Sequence, residues 1–266
     1  MFFNKWKFEN TPIEEFSTPW YGYPANVTIK EDDSIVYTTY SNRFVALNLN
    51  TGEEIFSVYS PNDKVFVNFV VDKDSIFIIQ CPRDSEELIK RMGDLLIKLD
   101  RDTGKEIWRR EIVSNSLLFN GKDSLIVASS CCPYLIYISK DEGITVKEVI
   151  LSRFYVNNKR YLNIYPYLIK EKYLYWILSP VDKDEDILEV LIFDTETKEQ
   201  IAGIPINIEI QEEACYKIIY IDEENIIIER FTDILCWFGQ SELICYNFEK
   251  KILFGKKHFQ KKIIYA

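Results

Sequence analysis

The fold is decided by Ile97-Lys98-Leu99-Asp100-Arg101-Asp102-Thr103-Gly104-Lys105-Glu106-Ile107-Trp108. This stretch reads as an apolar strand, a short polar turn and a second strand, which is the pattern of a β-hairpin. Thr103-Gly104 suits a tight turn because glycine takes a positive φ without steric cost. Asp100 ends the first strand, where its carboxylate can accept hydrogen bonds from the turn amides. The stretch therefore predicts a tight hairpin between two antiparallel strands.

The same pattern recurs along the chain. Its copies are Val45-Ala46-Leu47-Asn48-Leu49-Asn50-Thr51-Gly52-Glu53-Glu54-Ile55-Phe56 and, in degenerate form, Ile136 to Val149, Leu191 to Ile201 and Leu243 to Phe254. Five shorter segments alternate with these hairpins, each a polar turn entering an apolar strand; they begin at Asp33, Asp74, Asp123, Lys172 and Glu224. A period of about 40 to 50 residues is typical of propellers. We therefore predict an all-β fold, a five-bladed β-propeller of four-stranded antiparallel blades.

One domain is expected over residues 1–266, since a chain of 266 residues is normal for a single propeller of regular repeats. The predicted blades cover residues 25–60, 65–112, 116–152, 161–208 and 214–259. The strand-like stretches Lys5 to Glu9 and Lys261 to Tyr265 are predicted to close the ring, because an open sheet edge invites aggregation. A sixth, partial blade is the alternative, although few residues remain for it.

The hairpin of the second blade resembles the repeat of the PQQ-like, or quinoprotein-type, β-propellers through Asp100, Thr103, Gly104 and Trp108. In that repeat a strand ends in Asp, Thr-Gly-Lys follows after two residues, and a Trp docks on the outer strand. The resemblance implies that Trp108, and Phe56 in the first blade, wedge between neighbouring blades. PQQ dehydrogenases are larger, usually eight-bladed, exported and calcium-containing. This sequence departs from them on blade number, export and metal motif, so no PQQ and no other cofactor is expected.

Blades two, four and five are enlarged between their second and third strands, over residues 81–92, 180–186 and 231–239. In a four-stranded meander this connection and the blade-to-blade connection leave on the same face, which we call the loop face. Binding residues concentrate in long connections on rigid scaffolds. The candidate binding residues of the loop face are Arg83, Glu86 and Arg91, then Asp182, Asp184 and Asp186, and finally Trp237 and Phe238.

These three segments differ in chemistry. Residues 81–92 could form one or two helical turns, and Trp237 with Phe238 is the best candidate for an interface hot spot, unless that segment folds onto its own blade. Asp182, Asp184 and Asp186 alternate as in a calcium loop, but the glycine and glutamate that complete such a loop are missing. No metal is therefore predicted.

Charge and cysteine content restrict the partners. The net charge is -10 with a single histidine, which disfavours nucleic acid, because phosphates are bound mainly by clustered Lys and Arg. An acidic protein instead associates quickly with basic proteins. The sequence shows no signal-peptide pattern and no long apolar run, so a cytoplasmic protein without membrane contact is expected. The six cysteines show no recurrent spacing and are expected to be reduced; a vicinal Cys131-Cys132 disulfide is the alternative.

The sequence contains no arrangement of residues that is typical of a catalytic site. His258 is the only histidine and lies in a basic outer strand, a poor position for a general base. Glycosidases need two or three carboxylates in the central channel, and the predicted innermost strands contain no Asp or Glu. These strands are Ala25 to Ile29, Val65 to Val71, Ser116 to Phe119, Pro166 to Ile169 and Tyr216 to Ile221. The sequence therefore predicts a protein that is not an enzyme.

The resulting hypothesis is a protein-binding propeller that recognises a basic protein, in its narrowest form an immunity-type inhibitor of a basic bacterial toxin. A propeller that binds a small molecule or carbohydrate is the alternative, and a five-bladed glycosidase-like enzyme is another. The small-ligand alternative predicts equivalent pockets between the blades, which the unequal connections disfavour.

Overall fold

The computed structural model describes residues 27–30, 34–40, 42–61, 64–82, 93–113, 116–129, 134–150, 154–155, 167–169, 172–180, 188–206, 214–222, 224–231, 240–247 and 252–260. The chain divides into two compact units, residues 1–118 and 119–266. The described parts contain strands and turns without a helix, so they hold no helix with the length and apolar character of a membrane span. The all-β prediction is confirmed for these residues.

The described strands form five antiparallel sheets, which follow one another along the chain. The first sheet contains β1 (Val27–Lys30), β2 (Ile35–Tyr40), β3 (Arg43–Asn48) and β4 (Glu54–Tyr59). The second contains β5 (Lys64–Val71), β6 (Ser75–Pro82), β7 (Asp94–Asp100) and β8 (Glu106–Ile112). The third contains β9 (Ser116–Asn120), within which the two units divide, β10 (Ser124–Ser129), β11 (Tyr134–Ser139) and β12 (Thr145–Ile150).

The fourth and fifth sheets belong to the second unit. The fourth contains β13 (Phe154–Tyr155), β14 (Tyr167–Ile169), β15 (Tyr173–Pro180), β16 (Leu188–Asp194) and β17 (Glu199–Ile206). The fifth contains β18 (Cys215–Ile221), β19 (Asn225–Phe231), β20 (Gln240–Asn247) and β21 (Ile252–Gln260). Four of the five sheets are four-stranded meanders. The fourth differs from the prediction, because both β13 and β14 pair with β15 and give it five strands.

The hairpin turn that decides the fold is built as its sequence predicts. Asp100 Oδ1 accepts hydrogen bonds from the Thr103 amide (2.9 Å) and hydroxyl (2.6 Å). The Gly104 amide donates to the Asp100 carbonyl (2.9 Å), and Gly104 has a φ of 68°. The Asp100 amide in turn donates to the Lys105 carbonyl (2.8 Å). Two backbone bonds and two side-chain bonds therefore close a turn of four residues.

The same turn recurs with other residues at the same places. Asn48 Oδ1 accepts from the amides of Asn50 and Thr51, and Asp194 Oδ1 accepts from those of Glu196 and Thr197. In the first, third and fourth sheets the residue in the position of Gly104 also has a positive φ; these are Gly52 (76°), Gly143 (71°) and Lys198 (59°). Every pairing of third and fourth strands also shifts register close to the turn. Such a bulge increases the local twist of the strands.

Apolar layers lie between successive sheets within each unit. In the first unit, Phe44 of the first sheet meets Phe69 of the second edge to face, with ring centroids 5.2 Å apart. In the second unit, Tyr137 of the third sheet and Trp176 of the fourth share one fully buried cluster. A further cluster joins the fourth and fifth sheets around Val190. In the second and third sheets, the second and third strands are therefore almost wholly buried, whereas the fourth strands alternate between exposed and half-buried residues.

The predicted wedge between sheets is found at Phe56. A Cβ atom added to Gly104 would lie within van der Waals distance of the Phe56 ring, so this side chain reaches the turn of the next sheet. The wedging of Trp108 between sheets stays a prediction; its ring packs on Phe77 of its own sheet at a centroid distance of 5.9 Å. Phe77 and Trp108 are in register with Lys98 between them, which explains that contact.

We predict that Gly104→Ala lowers the free energy of unfolding by about 2–3 kcal/mol, because alanine is strained at this φ and its methyl group would overlap the Phe56 ring. In a Phe56→Ala background the overlap is gone, and the cost should fall to about 1 kcal/mol from the φ strain alone. Urea denaturation of the four proteins of this double-mutant cycle measures both values. Equal costs in the two backgrounds would contradict the steric contribution.

The turn also predicts a pH dependence of stability. Hydrogen bonds from Thr103 lower the pKa of Asp100 below its usual value of 3.8. A group with a lowered folded-state pKa stabilises the fold above its unfolded pKa, and this stabilisation is lost as the pH falls through and below 3.8. Asp100→Asn should therefore lower the melting temperature at neutral pH, with the difference from wild type closing in acid. Thermal scans from neutral pH to pH 3 test this, and Asn48→Asp should gain the acid dependence that Asp100→Asn loses.

Candidate functional site

The loop face is described through the strands that lead into it. The second-to-third connections are residues 41–42, 83–93, 130–133, 181–187 and 232–239 in the five successive sheets. The longest are those of the second, fourth and fifth sheets, as the spacing of the repeats predicts. All eight candidate binding residues lie in these three connections and outside the described residues; they are Arg83, Glu86, Arg91, Asp182, Asp184, Asp186, Trp237 and Phe238.

Several other predicted features also lie outside the described residues. These are the helical turns expected within residues 83–92, the Cys131-Cys132 pair and the terminal strands at Lys5 to Glu9 and Lys261 to Tyr265. They stay predictions. The strands at the roots of the long connections are described, and they carry buried polar side chains.

In the first unit, polar groups bridge the first and second sheets near the loop face. Gln80, which lies near the end of β6, donates from Nε2 to Ser60 Oγ (2.7 Å). The Ser60 amide donates to the Asn42 carbonyl (2.7 Å), and Asn42 Nδ2 donates to the Ser60 carbonyl (3.4 Å). All three residues are buried, with 4–7% of their surface exposed. Because buried polar groups are costly unless they are paired, this bridge holds the segment between β4 and β5 in one position.

A second buried polar contact lies at the other end of the β6–β7 connection, residues 83–93. Asp94, the first residue of β7, is 2% exposed, and its Oδ2 accepts a hydrogen bond from the Ser116 amide (3.4 Å). Burial raises the pKa of the Cys81 thiol, and the negative charge of Asp94 raises it further. Cys81 is therefore a neutral thiol at physiological pH and a poor nucleophile. Residues 83–93 thus leave the sheet between two buried polar anchors, Gln80 and Asp94.

In the second unit, a buried ion pair lies at the root of residues 232–239. Arg230 of β19 and Glu242 of β20 are directly opposite in the register, and the guanidinium contacts the carboxylate. Their side chains are 8% and 6% exposed. Taking both charges out of water is costly, so such a pair contributes little net stability to the fold. Removing one partner, however, strongly destabilises the protein, because a buried charge is left uncompensated. The pair therefore holds the two strand ends in register where the connection begins.

Sequence reasoning missed Gln80, Asp94, Arg230 and Glu242. A signal was present, because Gln80 interrupts the apolar run Ile76 to Ile79 and Arg230 follows the apolar run Ile226 to Ile228. A polar residue at the end of an otherwise apolar strand marks a position where burial must be compensated by a partner. The partner itself is decided by the register and could not be read from the sequence.

The chemistry of these roots is that of hydrogen bonding and ion pairing. Among the described residues, no three His, Cys, Asp or Glu side chains are grouped so that they could hold a metal ion. His258 lies in β21, the outermost strand of the fifth sheet, opposite Glu242 in the register. The described polar contacts lie in the strands on either side of residues 83–93 and 232–239.

Comparison with known proteins gives similarity at the level of structure. No protein-family model and no curated protein sequence matches the chain. A europium-containing methanol dehydrogenase is 10% identical with a TM-score of 0.47, over 88% of this chain and 61% of that one. A quinohemoprotein alcohol dehydrogenase from Comamonas testosteroni is 12% identical with a TM-score of 0.52, over 85% of this chain and 42% of that one. The chain thus spans less than two thirds of either protein.

The second likeness supports the quinoprotein type of fold that the hairpin residues imply, and at 12% identity it shows the fold alone. The comparisons also correct one prediction. The sequence was interpreted as that of a protein that is not an enzyme, whereas the quinohemoprotein alcohol dehydrogenase of similar fold is an enzyme. That prediction is withdrawn. The likeness assigns no reaction and no substrate to this chain.

We predict that Arg230→Met lowers the free energy of unfolding by about 3–5 kcal/mol, because it leaves the Glu242 carboxylate buried without its partner. The double variant Arg230→Met, Glu242→Leu should recover most of this loss, since two apolar groups need no partner. Arg109→Met is the matched control: Arg109 pairs with Glu106 at the surface, with 55% and 36% of the side chains exposed. Its cost should stay below about 1 kcal/mol. Chemical denaturation measures all three, and equal effects at both sites would contradict the anchoring role.

Proposed function

We propose that this chain is a five-bladed β-propeller that binds another protein through its loop face. The observation that carries the proposal is that two of the three long connections leave from strands with buried polar side chains. Gln80 and Asp94 lie in the strands that flank residues 83–93, and Arg230 and Glu242 lie in the strands that flank residues 232–239. A scaffold that fixes the ends of a long connection lowers the entropy lost when that connection binds a partner.

The five-bladed architecture rests on the order of the sheets. Each sheet follows the previous one along the chain, and the sheets within each unit pack face to face through apolar layers. This succession is typical of propeller blades. In the proposal, the five sheets close into one ring through the terminal stretches Lys5 to Glu9 and Lys261 to Tyr265.

A protein partner is favoured by the unequal chemistry of the three long connections. One contains Arg83 and Glu86, the next contains acidic residues including Asp184, and the last contains Trp237 and Phe238. Aromatic anchors surrounded by mixed charges are typical of protein interfaces. The net charge of -10 favours a basic partner through electrostatic steering. In its narrowest form, the proposal is an immunity-type inhibitor of a basic bacterial toxin.

The test is an affinity pull-down from lysate of the source cells, comparing wild type with a Trp237→Ala, Phe238→Ala variant. Wild type should retain a stoichiometric partner that the variant loses, because truncated aromatic anchors usually cost at least tenfold in affinity. Titration of the purified partner by calorimetry then gives the loss directly. A basic protein that is toxic alone and neutralised by wild type would support the narrower proposal.

Ile107→Ala is the matched control for this experiment. Ile107 is 52% exposed, and it lies in β8 close to the Asp100 turn, at the opposite end of the sheet from residues 83–93. It should bind the partner as wild type does. Equal loss in the control and the loop variant would contradict binding through the loop face. Absence of any partner, together with binding of a glycan or metabolite in a ligand screen, would replace the proposal with the small-ligand alternative.

A further inference from the structure

The outer edge of the third sheet is unusually apolar. β12 is the last strand of its sheet, and three large apolar side chains in or beside it are exposed: Ile144 by 56%, Val146 by 52% and Ile150 by 67%. Val146, Glu148 and Ile150 lie on one face of the strand, because successive residues alternate. Val149, on the other face, packs against the buried cluster between the third and fourth sheets.

Other outer strands carry features that discourage pairing. β17 contains Gly203 and Pro205, and proline has no amide hydrogen to donate to a neighbouring strand. β8 contains the charged run Arg109-Arg110-Glu111. In β4, the Arg43 guanidinium lies over the Tyr59 ring at 5.3 Å and covers part of its apolar surface. β12 has no proline or glycine and no Lys or Arg on its outward face.

The charges at this edge are acidic. Asp141 and Glu142 in the preceding turn and Glu148 in the strand are exposed. The two lysines of the hairpin are directed elsewhere, because Lys140 donates to the Lys122 carbonyl (3.1 Å) and Lys147 forms an ion pair with Glu199 of the fourth sheet. A partner at this edge therefore meets an apolar, acidic, apolar row formed by Val146, Glu148 and Ile150.

We propose that β12 is a docking edge for an extended segment of a basic partner protein, which adds to the third sheet as a further antiparallel strand. The segment carries an apolar residue, a Lys or Arg and a second apolar residue at alternate positions, opposite Val146, Glu148 and Ile150. A second copy of this chain fits worse. The antiparallel register that places Val146 opposite Ile150 of a copy also places Glu148 opposite its own equivalent, and like charges opposite each other repel.

The test uses the purified full chain and a fluorescein-labelled peptide, Thr-Val-Thr-Lys-Thr-Val-Thr, with fluorescence anisotropy as the readout. Wild type should bind it at least about fivefold more tightly than the same peptide with Glu at the centre. Glu148→Lys should reverse that preference. Val146→Lys with Ile150→Lys should weaken binding at least tenfold. Only the amides along one edge of the bound peptide donate hydrogen bonds to β12. N-methylation of those amides should abolish binding, whereas N-methylation of the amides on the other edge should leave the affinity unchanged.

Ile201→Lys is the matched control, since Ile201 is 54% exposed on β17, the outer strand that contains Pro205. It should bind the peptide as wild type does. Failure of wild type to bind either peptide at millimolar concentration would overturn the proposal, and so would equal loss in the Ile201→Lys control. A concentration-dependent dimer that Ile150→Lys disperses would overturn it in favour of a second copy. These outcomes are separate from those of the loop-face experiment, which changes residues 237 and 238 only.

Discussion

The packing of the sheets follows from the closed turn between the third and fourth strands, which the structure describes in the first four sheets. One side-chain oxygen, from Asp100, Asn48 or Asp194, accepts the turn amides, and the residue corresponding to Gly104 takes a positive φ. The bulge beside the turn sets which residues of the outer strand face inward. Because a slip of one residue would turn every side chain to the opposite face, this small hydrogen-bonded unit decides what each sheet can bury.

Its consequence is a set of sheets that bury apolar side chains against their neighbours within each unit. Tyr137 and Trp176 are fully buried between the third and fourth sheets, and Phe44 and Phe69 meet between the first and second. The outer strands carry most of the exposed large apolar residues, such as Ile150, and the residues along their edges differ from sheet to sheet. Sheets built on the same turn therefore differ in the side chains of their outer strands, so a repeated fold presents distinct surfaces.

At the opposite ends of the sheets, hydrogen bonds and an ion pair between particular side chains take the place of a repeated turn. Gln80 with Ser60, Asp94 with Ser116, and Arg230 with Glu242 each use different chemistry to hold the strand ends. Buried polar pairs of this kind add little net stability, but they disfavour alternative registers, since any slip would leave a buried group without its partner. In each of these sheets, the strand ends beside the long connection are thus less repetitive than the ends beside the closed turn.

The sequence by itself determined the strands, the turns and the places of the long connections. These follow from local chemistry: alternating apolar residues, a turn-closing Asp or Asn and a residue that tolerates positive φ. Three features appear only in the tertiary structure: Phe56 reaches the Gly104 turn, the fourth sheet gains β13, and Arg230 meets Glu242. Each of these contacts joins residues that are distant in the sequence and that strand register and packing bring together. A local pattern of residues does not specify which distant residue becomes the partner.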